Sequence, residues 1–235
     1  MKPMIGIVGK SYSREEAKNG FFVSENLRNS ILESGGNPYL ILPPQLTEYQ
    51  KARPSELVGL TQEEKNMLIQ QLSFCDGIIL PSGSKMFEYD FFILEYAINH
   101  DIPILGICLG MQIMANYKRK ISNLPTNDST IHHYLIDENY AHDVMLDTQS
   151  KLFSILKKEI IMVDSMHQYH AMESDIYKTV ARSEDFFVEA IEYPFNTFNI
   201  GVQWNPEIMY FYDKSARKLL KAFIDAARNY HNWKN

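Results

Sequence analysis

The sequence predicts an α/β fold in which a mostly parallel mixed sheet forms the middle of three layers and helices flank both of its faces. Apolar strand-like runs and helical patterns alternate four times in the first half of the chain, which is typical of a parallel sheet with crossover helices. The apolar runs are continuous, as in strands buried on both faces. The second half has shorter strand-like pieces between polar turns, which predicts antiparallel additions to the sheet.

The first half contains four predicted strands, each a short apolar run. They are residues 4–8, 39–42, 77–80 and 102–107. Apolar side chains at helical spacing predict the helices that separate and follow these strands. The helices are residues 21–34, residues 61–72 behind a capping-box pattern, residues 91–98 and residues 111–117.

The second half is predicted to contain short strands and two helices. We interpret residues 1–235 as one domain. The predicted strands are residues 131–136, 142–147, 160–163, 179–182, 187–192 and 199–204. Residues 183–185 are expected to close a hairpin. A short helix is predicted over residues 150–156 and an amphipathic helix over residues 215–230, with long loops at residues 44–60 and 118–130.

Composition excludes several classes of protein. The 235 residues carry 29 acidic and 23 basic side chains, a net charge of −6, which argues against a general nucleic-acid binder. Two cysteines are too few for a disulfide framework or a cysteine-based zinc site, and no metal-ligand spacing is evident. No apolar run reaches the ~18–20 residues of a membrane span. We expect a cytoplasmic chain with no signal peptide, metal, cofactor, membrane or nucleic-acid partner.

The most specific local pattern is Gly-Ile-Cys-Leu-Gly at residues 106–110, where a buried strand runs directly into a helix. A nucleophile elbow needs small residues two positions before and after the nucleophile, because larger side chains collide in so tight a turn. Cys108 would lie at a helix N-terminus, where the helix dipole and free N–H groups favour the thiolate. A small apolar residue on a strand–helix turn is the competing interpretation. Cys75 has no such setting and is expected to pack in the core.

A second informative turn is Pro81-Ser82-Gly83, directly after the predicted strand 77–80. Glycine there lets a backbone N–H approach a developing oxyanion, so Gly83 is a candidate donor beside the N–H of Leu109. An ordinary turn glycine is the alternative. The expected position of this strand beside the one that leads to Cys108 favours the functional interpretation.

Two segments together resemble the class I glutamine amidotransferase superfamily, and within it the γ-glutamyl hydrolases of peptidase family C26. They are Cys-Leu-Gly-Met-Gln at residues 108–112 and Gly-Val-Gln-Trp-Asn-Pro-Glu at residues 201–207. Further pieces follow in the family's order at residues 5–7, 35–38, 76–83, 103–108, 163–167 and 188–192. The resemblance covers nearly the whole chain and implies a flavodoxin-like core.

The resemblance implies a reaction. In the family, a cysteine attacks the γ-carbonyl of a glutamine or γ-glutamyl group, and water hydrolyses the resulting γ-glutamyl thioester. Cys108 matches the nucleophile, and the N–H groups of Leu109 and Gly83 match the oxyanion hole. Glu207 matches the carboxylate that orients a catalytic histidine. This is the usual arrangement of nucleophile, imidazole base and orienting acid.

The resemblance also implies a pocket for a small-molecule γ-glutamyl substrate. Gln112 matches a residue that helps to hold the α-amino or α-carboxylate group of the glutamyl moiety. Ser165, Met166 and His167 resemble the segment that lines the same pocket.

The chain departs from the family at Asn205, where the family has histidine in a Trp-His-Pro-Glu run. Asparagine does not titrate near neutral pH, so it cannot take the thiol proton or deliver one to a leaving amine. We therefore expect severely impaired turnover. His167 and His170 lie near the pocket by motif, but such positions serve substrate binding or packing in the family.

Two explanations of Asn205 remain open. One is a deliberate His-to-Asn substitution that inactivates the enzyme, and the other is a natural pseudoenzyme that only binds. Cys108, Gly110, Gln112 and Glu207 are all retained, which favours the first. His132, His133 and His142 are expected to be polar residues of loops or strands.

The leaving group is predicted from two loops and from the resemblance. Lys10, Tyr12 and Arg14 follow the first strand and suit a phosphate or nucleotide, and Lys85 is a further cation, although a solvated loop is the alternative. The chain most resembles hydrolases of γ-glutamyl-CDP-amidate, which act in capsule polysaccharide modification.

Other substrates stay open. Hydrolases of the polyamine pathway commonly carry arginine after the nucleophile, so Leu109 weakens an assignment to γ-glutamyl-aminobutyrate. A glutaminase subunit that supplies ammonia to a partner synthase is another alternative.

Overall fold

The computed structural model describes residues 1–12, 20–51, 53–118, 123–127, 129–135 and 139–234. The strands of this part of the chain are β1 (Met4–Val8), β2 (Lys10–Tyr12), β3 (Gly20–Phe22), β4 (Asn37–Ile41), β5 (Gly77–Leu80), β6 (Ile104–Ile107), β7 (Leu124–Pro125), β8 (His142–Leu146), β9 (Ile160–Val163), β10 (Tyr169–His170), β11 (Lys178–Ser183), β12 (Val188–Glu192) and β13 (Asn199–Val202). The helices are α1 (Glu25–Glu33), α2 (Gln62–Ser73), α3 (Glu88–Asn99), α4 (Leu109–Ala115), α5 (Lys151–Leu156), α6 (Pro206–Met209) and α7 (Lys214–Lys234), with 3-10 helices at Thr47–Tyr49 and Pro54–Glu56.

Nine strands form one sheet in the order β4-β1-β5-β6-β13-β12-β11-β8-β9. The first five are parallel neighbours, and the remaining strands join through antiparallel pairs. This confirms the predicted mostly parallel mixed sheet and the predicted hairpin of β11 and β12. The single domain predicted over residues 1–235 stays a prediction, to which a sheet shared by both halves of the chain lends support.

The sheet divides the core into two apolar clusters, which confirms the three layers. One cluster contains side chains of α1 and α7, such as Ile31 and Phe223. The other contains side chains of α2 and α3, such as Leu72 and Leu94. The predicted capping box at Thr61 opens α2. Cys75 packs as predicted, since a Cβ at Gly6 would lie 2.5 Å from its sulfur.

Two predicted elements differ from the structure. Residues 21 and 22 belong to β3, which pairs with β2. Helix α1 starts later because Ser24 caps it by accepting a hydrogen bond from the Leu27 N–H (3.2 Å). Within residues 131–135, the described part of the predicted strand 131–136, Tyr134 forms an isolated bridge with Met166. Both segments therefore pair locally instead of extending the predicted elements.

None of the helices in the described ranges combines the length and the apolar character needed to cross a membrane.

The register of the parallel strands β5 and β6 positions the turns that follow these two strands. Strands β5 and β6 are neighbours, and Leu80 lies opposite Gly106. The segments that follow these strands therefore emerge at the same edge of the sheet, where open α/β sheets bind their ligands.

Candidate active site

Cys108 forms the turn between β6 and α4, with φ +51° and ψ −104°. Residues other than glycine rarely adopt a positive φ, so the surrounding structure must hold this strained backbone in place. Gly110 permits the close approach, because a Cβ there would lie 1.9 Å from the carbonyl oxygen of Leu80. The structure confirms the predicted nucleophile elbow.

The Cys108 thiol is only 8% exposed. Burial, and then the negative charge of Glu207, raise the pKa of Cys108 to about 12, although a hydrogen bond from the Leu109 backbone lowers it. The Leu109 N–H at the start of α4 favours the thiolate, as predicted, but burial has the larger effect on the pKa. The loss of hydration outweighs the dipole of the seven-residue helix α4. The thiol is protonated near neutral pH, so attack on a substrate requires a base.

The two residues that are candidates to donate to an oxyanion are near one another. Gly83 follows β5 and Leu109 opens α4, and a Cβ at Gly83 would lie 3.1 Å from Cδ2 of Leu109. The structure thus brings these two residues together at one edge of the sheet. Their contact with an oxyanion stays a prediction.

Asn205 is held between Asp164 and Ser82. Its N–H donates to Oδ1 of Asp164 (2.8 Å), and its Nδ2 donates to Oδ2 (3.3 Å). The Ser82 hydroxyl is 3.0 Å from Oδ1 of Asn205 and 3.3 Å from Oε1 of Glu207. A hydroxyl has one proton, so it serves these two acceptors in turn. Sequence reasoning gave Asp164 and Ser82 no role, although an acidic residue directly after the apolar run 160–163 was an available signal.

Two buried carboxyl groups are connected to the Asn205 side chain, Asp164 directly and Glu207 through the Ser82 hydroxyl. Burial raises the pKa of Glu207 to about 8 and that of Asp164 to about 6. Among the described residues, Oε2 of Glu207 has no hydrogen-bond partner. The Asn205 amide brings no positive charge to these groups, whereas an imidazole at this position would take up a proton between them.

Replacing Glu207 by glutamine should remove part of the pH dependence of stability. The folded chain keeps a proton on Glu207 up to about pH 8, whereas the ordinary pKa is 4.5. The stability contributed by this carboxyl is therefore complete below pH 4.5 and is lost as the pH rises through 8. We expect E207Q to match the parent near pH ~5 and to exceed its free energy of unfolding by roughly 2–4 kcal/mol near pH ~9.

Urea unfolding at the two pH values measures this difference. Glu159→Gln is the matched control, because that side chain is exposed, and it should follow the parent throughout. Parallel pH profiles for the parent and E207Q would contradict the expectation.

A chain of side-chain amides leads to the thiol. Asn123 Nδ2 donates to Oε1 of Gln112 (2.8 Å). Gln112 Nε2 donates to Oε1 of Gln203 (3.1 Å) and to the carbonyl of Tyr169 (2.8 Å). Gln203 Nε2 then donates to Sγ of Cys108 (3.5 Å). The Gln112 amide is therefore bonded at both ends within the protein, and its contact with a glutamyl group stays a prediction. Sequence reasoning gave Gln203 no role.

A cleft of about 220 Å³ lies beside these groups. Its lining includes Lys10, Ser82, Met166, Asn205, Glu207 and Ile208. Cys108 does not line it, in keeping with its burial. The cleft therefore reaches Glu207 and Asn205 but not the sulfur.

The predicted phosphate-binding residues have different settings. The Lys10 ammonium lies 2.6 Å from Oδ2 of Asp90, and both groups are buried, so its charge is neutralised within the protein. Lys85 is exposed. Tyr12 lies in β2, and Arg14 lies outside the described residues.

Of the three predicted pocket residues Ser165, Met166 and His167, the cleft is lined by Met166. The Ser165 hydroxyl donates to the carbonyl of His133 (2.9 Å). His167 Nε2 faces Glu189, 3.7 Å from Oε1. These two side chains therefore support the segment that carries Met166.

His167 belongs to a buried group of potential metal donors, which also contains His133, His142 and Glu189. The sequence predicts no metal site, because these residues are scattered along the chain without the spacing of metal ligands. The available signal was the acidic Glu189 inside an apolar strand.

Comparison with known proteins identifies relatives over most of the chain. The family model described as Peptidase C26 matches residues 3–207. A CTP synthase of Thermosipho africanus (strain TCF52B) is 26% identical over 242 residues, covering 86% of this chain and 42% of that protein. A gamma-glutamyl-gamma-aminobutyrate hydrolase of Shigella flexneri is 27% identical over 257 residues, covering 95% of this chain and 93% of that protein.

A solved structure has the same architecture. The Trypanosoma brucei CTPS glutaminase domain with bound acivicin superposes with a TM-score of 0.62 at 19% identity, covering 97% of this chain and 94% of that chain. This likeness shows the fold. The chain spans less than half the length of the CTP synthases it matches.

Proposed function

The chain belongs to the peptidase C26 family, and from that premise we propose that its site is built to hydrolyse a γ-glutamyl amide bond through a γ-glutamyl thioester on Cys108. The observation that carries the proposal is the strained elbow at Cys108 with Gly83 and Leu109 beside it. An elbow that holds a protonated thiol beside the Leu109 backbone donor, with Gly83 near Leu109, suits acyl transfer from an amide.

The proposed reaction has two halves. Sγ of Cys108 attacks the γ-carbonyl carbon, the N–H groups of Leu109 and Gly83 donate to the oxyanion, and the C–N bond breaks as the amine leaves with the thiol proton. Water then attacks the thioester, the C–S bond breaks, and glutamate leaves as the thiol regains a proton. Each half needs one group that both accepts and returns a proton.

That group is the one this chain lacks, and we propose that Asn205 stands in the place of a catalytic histidine. The position contacts Asp164 and is linked through the Ser82 hydroxyl to Glu207, and both of these buried carboxyl groups have raised pKa values. A protonated imidazole would stabilise both carboxylates, whereas the amide leaves them uncompensated. We favour an inactivated His-to-Asn variant over a natural binding-only protein, because the elbow and Glu207 are retained. Sequencing the source gene at this codon decides between the two origins.

For the leaving group we propose cytidine diphosphoramidate, released from γ-glutamyl-CDP-amidate. The exposed Lys85 close to Gly83 supports a phosphate contact outside the cleft. The buried pair of Lys10 and Asp90 argues for a weaker role of Lys10 than the sequence predicts. The family resemblance carries the rest of this choice.

A glutaminase that feeds a synthase is the second candidate function. The relatives that favour it are CTP synthases in which a region of this length forms only part of the protein. Ammonia, and not a larger amine, would then be the leaving group, and a partner would raise the rate.

One experiment separates these substrates. A variant with Asn205→His should be assayed with γ-glutamyl-CDP-amidate, γ-glutamyl-γ-aminobutyrate and glutamine, and glutamate release should be measured. We expect kcat/KM for the CDP-linked substrate to exceed the others by at least about tenfold, because a charged contact to the leaving group adds roughly 1.4 kcal/mol or more. Preference for the aminobutyrate compound would overturn the proposed leaving group, and preference for glutamine would favour the glutaminase.

A further inference from the structure

Three histidines and one glutamate turn polar atoms of their side chains toward a common point. Nδ1 of His133, Nε2 of His142 and Nε2 of His167 lie 3.8, 3.9 and 3.7 Å from Oε1 of Glu189. All four side chains are buried, and their donor atoms lie within 4.8 Å of one another. None of these three nitrogens, nor either carboxylate oxygen, has a hydrogen-bond partner among the described residues. From this cluster we propose a structural binding site for a divalent transition metal, with Zn²⁺ as its occupant.

The outward contacts of the histidines set their tautomers. Nε2 of His133 lies 3.0 Å from Oδ2 of Asp185. Nδ1 of His142 lies 3.2 Å from the carbonyl of Asp143, and Nδ1 of His167 lies 3.1 Å from the carbonyl of Tyr169. A carbonyl oxygen only accepts, so the facing ring nitrogens carry the protons. In each neutral ring the inward nitrogen therefore presents a lone pair, which is the state that a metal requires.

Four inward-facing acceptors need a cation. A water molecule has two protons and would satisfy only two of them. An unpaired carboxylate in a buried site is costly, and 3.7 Å is too long for a direct hydrogen bond with a protonated ring. A metal ion accepts all four lone pairs at once and neutralises Glu189.

The chemical identity of the ligand atoms and their number indicate which class of metal would bind. Three imidazole nitrogens and one carboxylate oxygen suit Zn²⁺, whereas Mg²⁺ and Ca²⁺ prefer oxygen. Metal–ligand bonds of about 2.0–2.1 Å in a tetrahedron place ligand atoms about 3.3 Å apart. The observed distances to Glu189 exceed that by about half an ångström, and all four donor atoms lie within 4.8 Å of one another, so side-chain shifts that draw them together would complete the site. Four protein ligands leave no position for a substrate, which makes the role structural.

The metal would tie together the segments that shape the cleft. His133 lies before the Tyr134–Met166 bridge, His142 opens β8, and Glu189 lies in β12.

His167 follows Met166, which lines the cleft, and Asp164 of the same segment holds Asn205. Asp185 lies 3.0 Å from Nε2 of His133, and a carboxylate in this position fixes the orientation of a metal-bound imidazole.

The test is the metal content of the full chain, purified without added metal and measured by elemental mass spectrometry. We expect about one zinc per chain, and a drop of at least about tenfold for Glu189→Gln and His142→Gln. Asp185→Asn should weaken zinc affinity by about 10–100-fold, measured by chelator competition. His132→Gln and His170→Gln are the matched controls, because both histidines lie outside the cluster and should leave the zinc content unchanged.

Variants of buried residues can fail to fold, so the parent chain is also titrated with Co²⁺ after removal of zinc. We expect visible absorption of tetrahedral cobalt that zinc abolishes and Mg²⁺ leaves unchanged. A parent chain without zinc and without this absorption would overturn the proposal, as would cluster variants that fold and keep their zinc. The measurement is independent of turnover, so it stands or falls apart from the proposed hydrolysis.

Discussion

Asn205→His is expected to raise the turnover of a γ-glutamyl amide by about 10²–10⁴-fold. The Cys108 thiol is buried and has a pKa of about 12, so it is protonated near neutral pH, and the Asn205 amide cannot take its proton. The side chain at position 205 contacts the carboxyl group of Asp164 directly, and the Ser82 hydroxyl links it to that of Glu207. Both groups would favour the imidazolium that forms when the ring takes the thiol proton.

Glutamate release under steady-state conditions measures the gain. Asn205→Gln is the matched control, because it changes size without adding a titratable group and should stay at the parent's rate. Asn205→His with Cys108→Ala should lose the gain entirely, which shows that the new activity passes through the thiol. A folded Asn205→His variant no faster than the parent would favour the binding-only protein.

Gly110→Ala is expected to destabilise the fold by more than about 3 kcal/mol, or to prevent the accumulation of folded chain. The added Cβ would lie 1.9 Å from the carbonyl oxygen of Leu80 and 2.7 Å from its carbonyl carbon. These are backbone atoms of β5, so no side-chain rotation relieves the clash. Either α4 moves away from the sheet, or β5 shifts and displaces Gly83.

Urea unfolding of the purified variant measures the loss. Gly59→Ala is the control, because a Cβ there meets nothing within 4 Å, and its stability should stay within about 0.5 kcal/mol of the parent. A Gly110→Ala variant as stable as Gly59→Ala would show that α4 is not held against β5 as described.

Much of this architecture could be predicted from local pattern. The parallel strands are continuous apolar runs, and the elbow at Cys108 needs small residues at fixed offsets. These requirements arise from neighbours in sequence, so they are visible in the sequence. The start of α1 was less predictable, because the apolar Phe21 and Phe22 fit a helical face equally well until β3 is seen to pair with β2.

The parts that could not be predicted depend on contacts between distant residues. His133, His142, His167 and Glu189 meet because of the order in which β8, β11 and β12 join the sheet, and no short motif encodes that order. The raised pKa of the Cys108 thiol could not be predicted for a related reason. A helix N-terminus is visible in sequence, but the burial that outweighs it is a property of the whole fold.

The main-chain carbonyl oxygen of Tyr169 fixes the direction of the hydrogen bonds that run through the Gln112 and Gln203 amides to Cys108. A side-chain substitution at residue 169 would leave this oxygen in place. It accepts from Gln112 Nε2 and from Nδ1 of His167. Because this oxygen never donates, Gln112 must turn its NH₂ toward it, and Gln203 in turn must aim its own NH₂ at the sulfur. One main-chain atom thus sets both the tautomer of His167 and the direction in which the amide dipoles point at Cys108. Any shift of the backbone at residue 169 is therefore felt at both centres together.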